Sequence, residues 1–73
     1  MRENLKSARL AAGMTQQQMA DKLNIGLRYY QHIEKGDRTG DFQLWDTLED
    51  ITGIHQRLLR EIADIRLDQE ANQ

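Results

Sequence analysis

Met14–Gly36 runs MTQQQMADKLNIGLRYYQHIEKG and carries more local structural signals than any other part of the chain. It describes two short helices joined by a tight turn. Thr15 is an N-cap whose hydroxyl accepts from a free backbone N–H, and Gln18, three residues on, reaches back to close a capping box. Met19, Ala20 and Leu23 then recur at helical spacing and give an apolar face. Ala20 is small enough for a second helix to cross closely. Asn24 tolerates the left-handed conformation that turns the chain. Ile25, apolar inside a turn, plugs the space between the helices, and Gly26 serves as a modest N-cap. Leu27 to Lys35 form the second helix with Tyr30 and Ile33 inward, and Gly36 ends it as a left-handed residue.

The flanks extend the helical pattern in both directions. A helix is expected from Glu3 to Ala12, stopped by Gly13, with Leu5, Ala8, Leu10 and Ala12 on its buried side. After the second helix of the motif comes a turn-rich loop, Asp37-Arg38-Thr39-Gly40. A fourth helix starts at Asp41, carries Phe42, Leu44, Trp45, Leu48 and Ile51, and ends near Thr52-Gly53. A fifth starts near His55, itself a cap or surface residue, and carries Leu58, Leu59, Ile62, Ala63, Ile65 and Leu67. Residues 1–67 make one all-α domain of five helices, and 68–73 a polar tail that frays.

With 73 residues, the chain is near the lower limit for a self-sufficient core. It has no cysteine, so neither a disulfide nor a thiolate metal site supports it. Proline is also absent. No apolar run approaches the ~20 residues of a membrane span. With no signal peptide either, the expected location is the cytoplasm, at the nucleoid. The net charge of −2 hides a split. Residues 1–40 hold seven basic groups (Arg2, Lys6, Arg9, Lys22, Arg28, Lys35, Arg38) against four acidic ones, whereas 41–73 hold three basic against eight acidic. Such a split suits a molecule with one face toward a polyanion.

The motif residues resemble the lambda-repressor-like (Cro/Xre-type) helix-turn-helix family. The resemblance rests on Thr15, Gln16, Ala20 and Ile25 around the first helix and Ile33, Glu34 and Gly36 at the end of the second, and covers roughly residues 3–62. Within it, Trp45–Ile62 resembles regulators of Gram-positive phages and mobile elements. The resemblance implies a transcriptional regulator, a repressor of the phage type, that binds double-stranded DNA with the second motif helix in the major groove. It also implies an ion pair between Arg9 and Glu34 tying the first helix to the third, for which a planar guanidinium is well suited.

Base reading falls, by the same resemblance, to Leu27, Arg28 and His32, with Gln31 and Lys35 on the same face. Arg28 can donate two hydrogen bonds to guanine O6 and N7, Leu27 can touch a thymine methyl, and His32 can donate to a guanine acceptor. The bland role for Arg28 is a phosphate clamp, which adds affinity without sequence reading. Gln16, at a helix start rich in free N–H groups, stands where the family meets a phosphate or a neighbouring base. Tyr29 either reaches the backbone with its hydroxyl or packs its ring on the preceding helix. Arg38 and Thr39 lie in a loop that contacts the DNA backbone in the family. Three features depart from the pattern. Gly26 replaces a Ser or Thr, Asp37 stands where a basic residue is common, and the short N-terminus leaves no arm for the minor groove.

One such motif reads only a few base pairs, so a homodimer on a palindromic operator, with half-sites ~34 Å apart, is expected. Its interface would come from the fourth and fifth helices or from the tail, and the fifth helix carries more apolar positions (58, 59, 62, 63 and 65) than one stripe needs. No cofactor, metal or small-molecule ligand is expected. His32 and Glu34 are two apart and point to different helix faces, and no phosphate loop or nucleophile motif is present, which argues against an enzyme. The rival reading is a protein-binding module of the same fold, an antitoxin or anti-regulator, favoured by the acidic second half and by Gly26.

Overall fold

The computed structural model describes residues 1–62, and five helices account for most of them: α1 (Glu3–Ala11), α2 (Gln16–Leu23), α3 (Leu27–Lys35), α4 (Phe42–Thr52) and α5 (Gln56–Arg60). Each boundary has a local chemical cause. At the head of α2, Thr15 accepts from the Gln18 N–H at 3.1 Å and Gln18 Oε1 accepts from the Thr15 N–H at 2.8 Å, a complete capping box. Asn24 turns the chain at φ 59°, and the Ile25 N–H reaches back to the Ala20 carbonyl at 3.0 Å. Gly26 is extended and starts α3 without a side-chain cap. Gly36, at φ 101°, ends it. Asp41 caps α4 by accepting from the Leu44 N–H at 2.9 Å, and His55 caps α5 by accepting from the Arg57 N–H at 3.0 Å.

The core gathers one face from every helix. Leu5 and Ala8 come from α1, Met19 and Ala20 from α2, Tyr30 and Ile33 from α3, Leu44, Trp45 and Leu48 from α4, and Leu59 from α5. Met14, Leu23, Ile25, Ile51 and Ile54 close its edges, so Ile25 does plug the α2–α3 turn. Helices α2 and α3 pack on each other, while α5 lies across α1 and α4. Gly40 permits the approach of α4 to α3. Its backbone is left-handed at φ +78°, and a Cβ there would come within 3.2 Å of Leu44 and 3.4 Å of Ile33.

Several apolar residues do not sit where their identity suggested. Phe42 is 80% exposed, because it falls far around α4 from the stripe of Leu44, Trp45 and Leu48. Leu10 is exposed on the side of α1 opposite Leu5, and Ala12 lies past the helix end, also exposed. Arg9, not Leu10, completes the buried side of α1. The fifth helix is shorter than expected: it ends at Arg60, with an extended Glu61 after it, and Leu58 and Ile62 are about half exposed. Ala63, Ile65, Leu67 and the boundary at residue 67 lie outside the described residues.

Candidate nucleic-acid interface

The outward face of α3 is set by what its inward face buries. Tyr30, Ile33 and Glu34 point into the domain, so Arg28, Gln31, His32 and Lys35 share the opposite side. Leu27 and Tyr29 flank this face. Leu27 is half-buried, and Tyr29 leans into a cleft between the α2–α3 turn and α4, beside Leu23, Ile25 and Leu44. Arg38 and Thr39 are exposed on the loop that follows α3. Of the nine expected contact residues, Arg28, Gln31, His32 and Lys35 share the outward face of α3, Leu27 lies at its flank, and Arg38 and Thr39 are exposed on the loop that follows. Tyr29 is displaced toward α4, and Gln16 is turned inward.

That inward turn follows from Glu34, which is 1% exposed on the inner side of α3. Its carboxylate accepts from Arg9 Nε at 2.8 Å and Nη2 at 3.2 Å, from the Tyr30 hydroxyl at 2.7 Å and from Gln16 Nε2 at 3.0 Å. Burial alone would push the Glu34 carboxyl up. The hydrogen bonds from Arg9, Tyr30 and Gln16, with the charge of Arg9, outweigh it and hold the group below the usual carboxylate range. Arg9 also donates to the Met14 carbonyl at 2.9 Å, so one side chain joins α1, the α1–α2 turn and α3. Because an ionised carboxylate only accepts, Gln16 must face it with its nitrogen. Its oxygen then accepts from Gln31 Nε2 at 3.2 Å. Gln16 thus links the buried network to the exposed face of α3.

Asp37 alters the charge of that face. Its Oδ2 lies 3.2 Å from His32 Nδ1 and 3.9 Å from Lys35 Nζ. An ionised carboxylate only accepts, so a hydrogen bond in this contact is donated by the His32 ring to Asp37. Arg28 is exposed and forms no ion pair among the described residues.

Arg2 has a structural role that the charge count alone does not reveal. Counted above among the seven basic groups of residues 1–40, it is 3% exposed and so adds no charge to the surface. Its Nη1 donates to the carbonyls of Ile33 at 2.6 Å and Arg38 at 2.8 Å, its Nε to that of Arg60 at 3.0 Å, and its guanidinium lies 5.1 Å from the Trp45 ring centroid. Burial, with help from the charge of Arg60, lowers its pKa. The C-terminal end of α3 and the indole face offset the cost of burying this cation. With Arg2, Arg9 and Glu34 inside, the solvated charges of residues 1–40 are five basic against three acidic. The basic excess is narrower than the sequence suggests and is concentrated at Arg28, Lys35 and Arg38 along the α3 face and at Lys6 and Lys22 beyond it.

A family model described as helix-turn-helix matches residues 5–59. The chain belongs to the lambda-repressor-like helix-turn-helix family. This helix-turn-helix domain, α2 and α3 with the Asn24 turn between them, is of the class found in DNA-binding transcription regulators. No curated protein and no solved structure matches the chain. Among the described residues, no helix is long and apolar enough to cross a membrane.

Proposed function

We propose that this helix-turn-helix protein is a sequence-specific repressor that binds a palindromic operator as a homodimer, with α3 in the major groove. The observation that carries the reading is the outward face of α3: an unpaired Arg28 beside Gln31, His32 and Lys35, on a helix whose inner face is anchored by the four-donor contact at Glu34. Arg28 reads guanine through O6 and N7, and Leu27 meets a thymine methyl at the flank. Lys35, Arg38 and Thr39 contact phosphates, which fix register and add affinity without sequence information. Leu58 and Ile62, half exposed at the end of the described chain, supply apolar surface for pairing two copies. Two half-sites about one turn apart then match the two-fold symmetry of the protein.

Selection of bound duplexes from random DNA, followed by footprinting, tests this. The expected product is an inverted repeat with guanines at matching positions in each half and protected half-sites about one turn apart. Recovery of single, unrepeated sites would remove the dimer from the reading, and no enrichment at all would remove sequence-specific recognition. A second reading, a protein-binding module of the same fold, draws support from Asp37, which occupies His32 and approaches Lys35, and from the exposed Phe42. It predicts weak binding to DNA with little dependence on salt.

A further inference from the structure

We propose that Arg2 is a positioning residue for contact with the DNA backbone: from inside the domain it holds the loop after α3 so that Arg38 and Thr39 present their side chains to a phosphate. The inference rests on the DNA-binding reading above. Two consecutive loop carbonyls are held by neighbouring side chains. The Arg38 carbonyl accepts from Arg2 Nη1 at 2.8 Å, and the Thr39 carbonyl accepts from Trp45 Nε1 at 2.6 Å. Arg2 and Trp45 lie against each other, and both are almost fully buried. The same Arg2 Nη1 binds the Ile33 carbonyl, and the Arg2 backbone N–H donates to the Glu34 carbonyl at 2.8 Å, so the loop is fixed relative to the last turn of α3. The side chains of Arg38 and Thr39 are left on the surface.

Bulk alone would not require an arginine here. A methionine would fill comparable space without the penalty of a buried charge, but could not bind any carbonyl. A lysine would keep the charge but would lack the planar fork that spans Ile33, Arg38 and Arg60. Arg2 is buried with its guanidinium bound to three carbonyls, so it makes no phosphate contact of its own, and Arg2→Lys keeps its charge, so an effect of that replacement on phosphate contacts acts through the loop.

The salt dependence of binding counts phosphate contacts, with a slope of about 0.9 in log K against log salt for each. Anisotropy titrations on a labelled mixed-sequence duplex, well below the melting temperature of each variant, should show a slope smaller by about 0.9 per protomer for Arg38→Ala. The same loss is expected for Arg2→Lys, with no further loss when the two are combined. Trp45→Phe keeps an aromatic ring, removes the N–H that binds Thr39 and is expected to reduce the slope without any change at Arg2. A wild-type slope in Arg2→Lys and Trp45→Phe, alongside a reduced slope in Arg38→Ala, would overturn the proposal and leave Arg2 a stabilising residue only. So would a wild-type slope in Arg38→Ala. Failure of the wild-type protein to bind the duplex at any salt would instead remove the DNA-binding reading on which the proposal stands.

Discussion

Arg9 and Glu34 meet in a two-pronged contact, Nε to Oε2 at 2.8 Å and Nη2 to Oε1 at 3.2 Å, with both side chains almost wholly out of solvent. The contact couples α1 to the helix that carries the candidate reading face. Removing either partner leaves the other charge buried and uncompensated. Arg9→Ala and Glu34→Ala should each destabilise the domain by about 3–5 kcal/mol, seen as a fall in the urea midpoint.

The same contact predicts an acid limb. The Glu34 carboxyl is held below its ordinary value in the folded protein. Its contribution is therefore complete above the unfolded value of about 4.3 and is lost as pH falls toward the folded value. Urea midpoints should drop below about pH 4.3, and Glu34→Gln should lack the part of that drop due to this residue. An identical acid limb in Glu34→Gln would show that other carboxylates account for it.

Tyr30→Phe isolates one donor. Its hydroxyl donates to Glu34 Oε2 at 2.7 Å inside the core, so its loss should cost about 1.5–3 kcal/mol, the range for a hydrogen bond to a charged group. Burial, then the hydrogen bond and charge of Glu34, push the Tyr30 hydroxyl far above its usual range. A raised folded value means stability that is present below the unfolded value of about 10 and is lost as pH rises beyond it. The variant should lose stability less steeply than wild type on the alkaline side, which urea titrations above that pH would measure.

What could be read from the sequence was mostly local backbone chemistry. Thr15 with Gln18, Asn24, Gly36 and Asp41 each satisfy or redirect the main chain within a few residues, and all four boundaries lie where those side chains place them. Apolar identity was a weaker guide. Leu10 and Phe42 have side chains as apolar as Leu5 and Leu48, but their angular positions put them in solvent. Gln16 and Arg2 escaped for a different reason. Their partners, Glu34 for one and the carbonyls of Ile33, Arg38 and Arg60 for the other, are distant in sequence and exist only once the helices are packed. The contact between Arg9 and Glu34 is legible through the family resemblance, not through any periodicity.

Phe42→Ser probes the exposed position directly. At 80% exposure the ring contributes little to the core, so the urea midpoint should shift by no more than about 0.5 kcal/mol in stability. A loss of several kcal/mol would mean that the ring is covered in solution, for instance by a second copy.

Leu58→Glu tests the pairing surface assigned to α5. The residue is 43% exposed, which allows a charged side chain to be accommodated in the monomer. Sedimentation should show wild-type dimer and variant monomer, with operator affinity reduced in the variant. Wild-type protein that sediments as a monomer at all concentrations, both free and on DNA, would exclude this interface.

Base reading by α3 is tested by anisotropy of wild-type protein and Arg28→Ala on the selected operator, on operators substituted at each guanine and on scrambled DNA, at two salt concentrations. Wild-type binding should be operator-dependent and should weaken with salt. Arg28→Ala should lose about 1–3 kcal/mol per half-site and become indifferent to one guanine position. If Arg28→Ala instead weakens all sequences equally and lowers the salt slope, Arg28 is a phosphate clamp. If the wild-type protein itself fails to distinguish operator from scrambled DNA, α3 is not a base-reading helix.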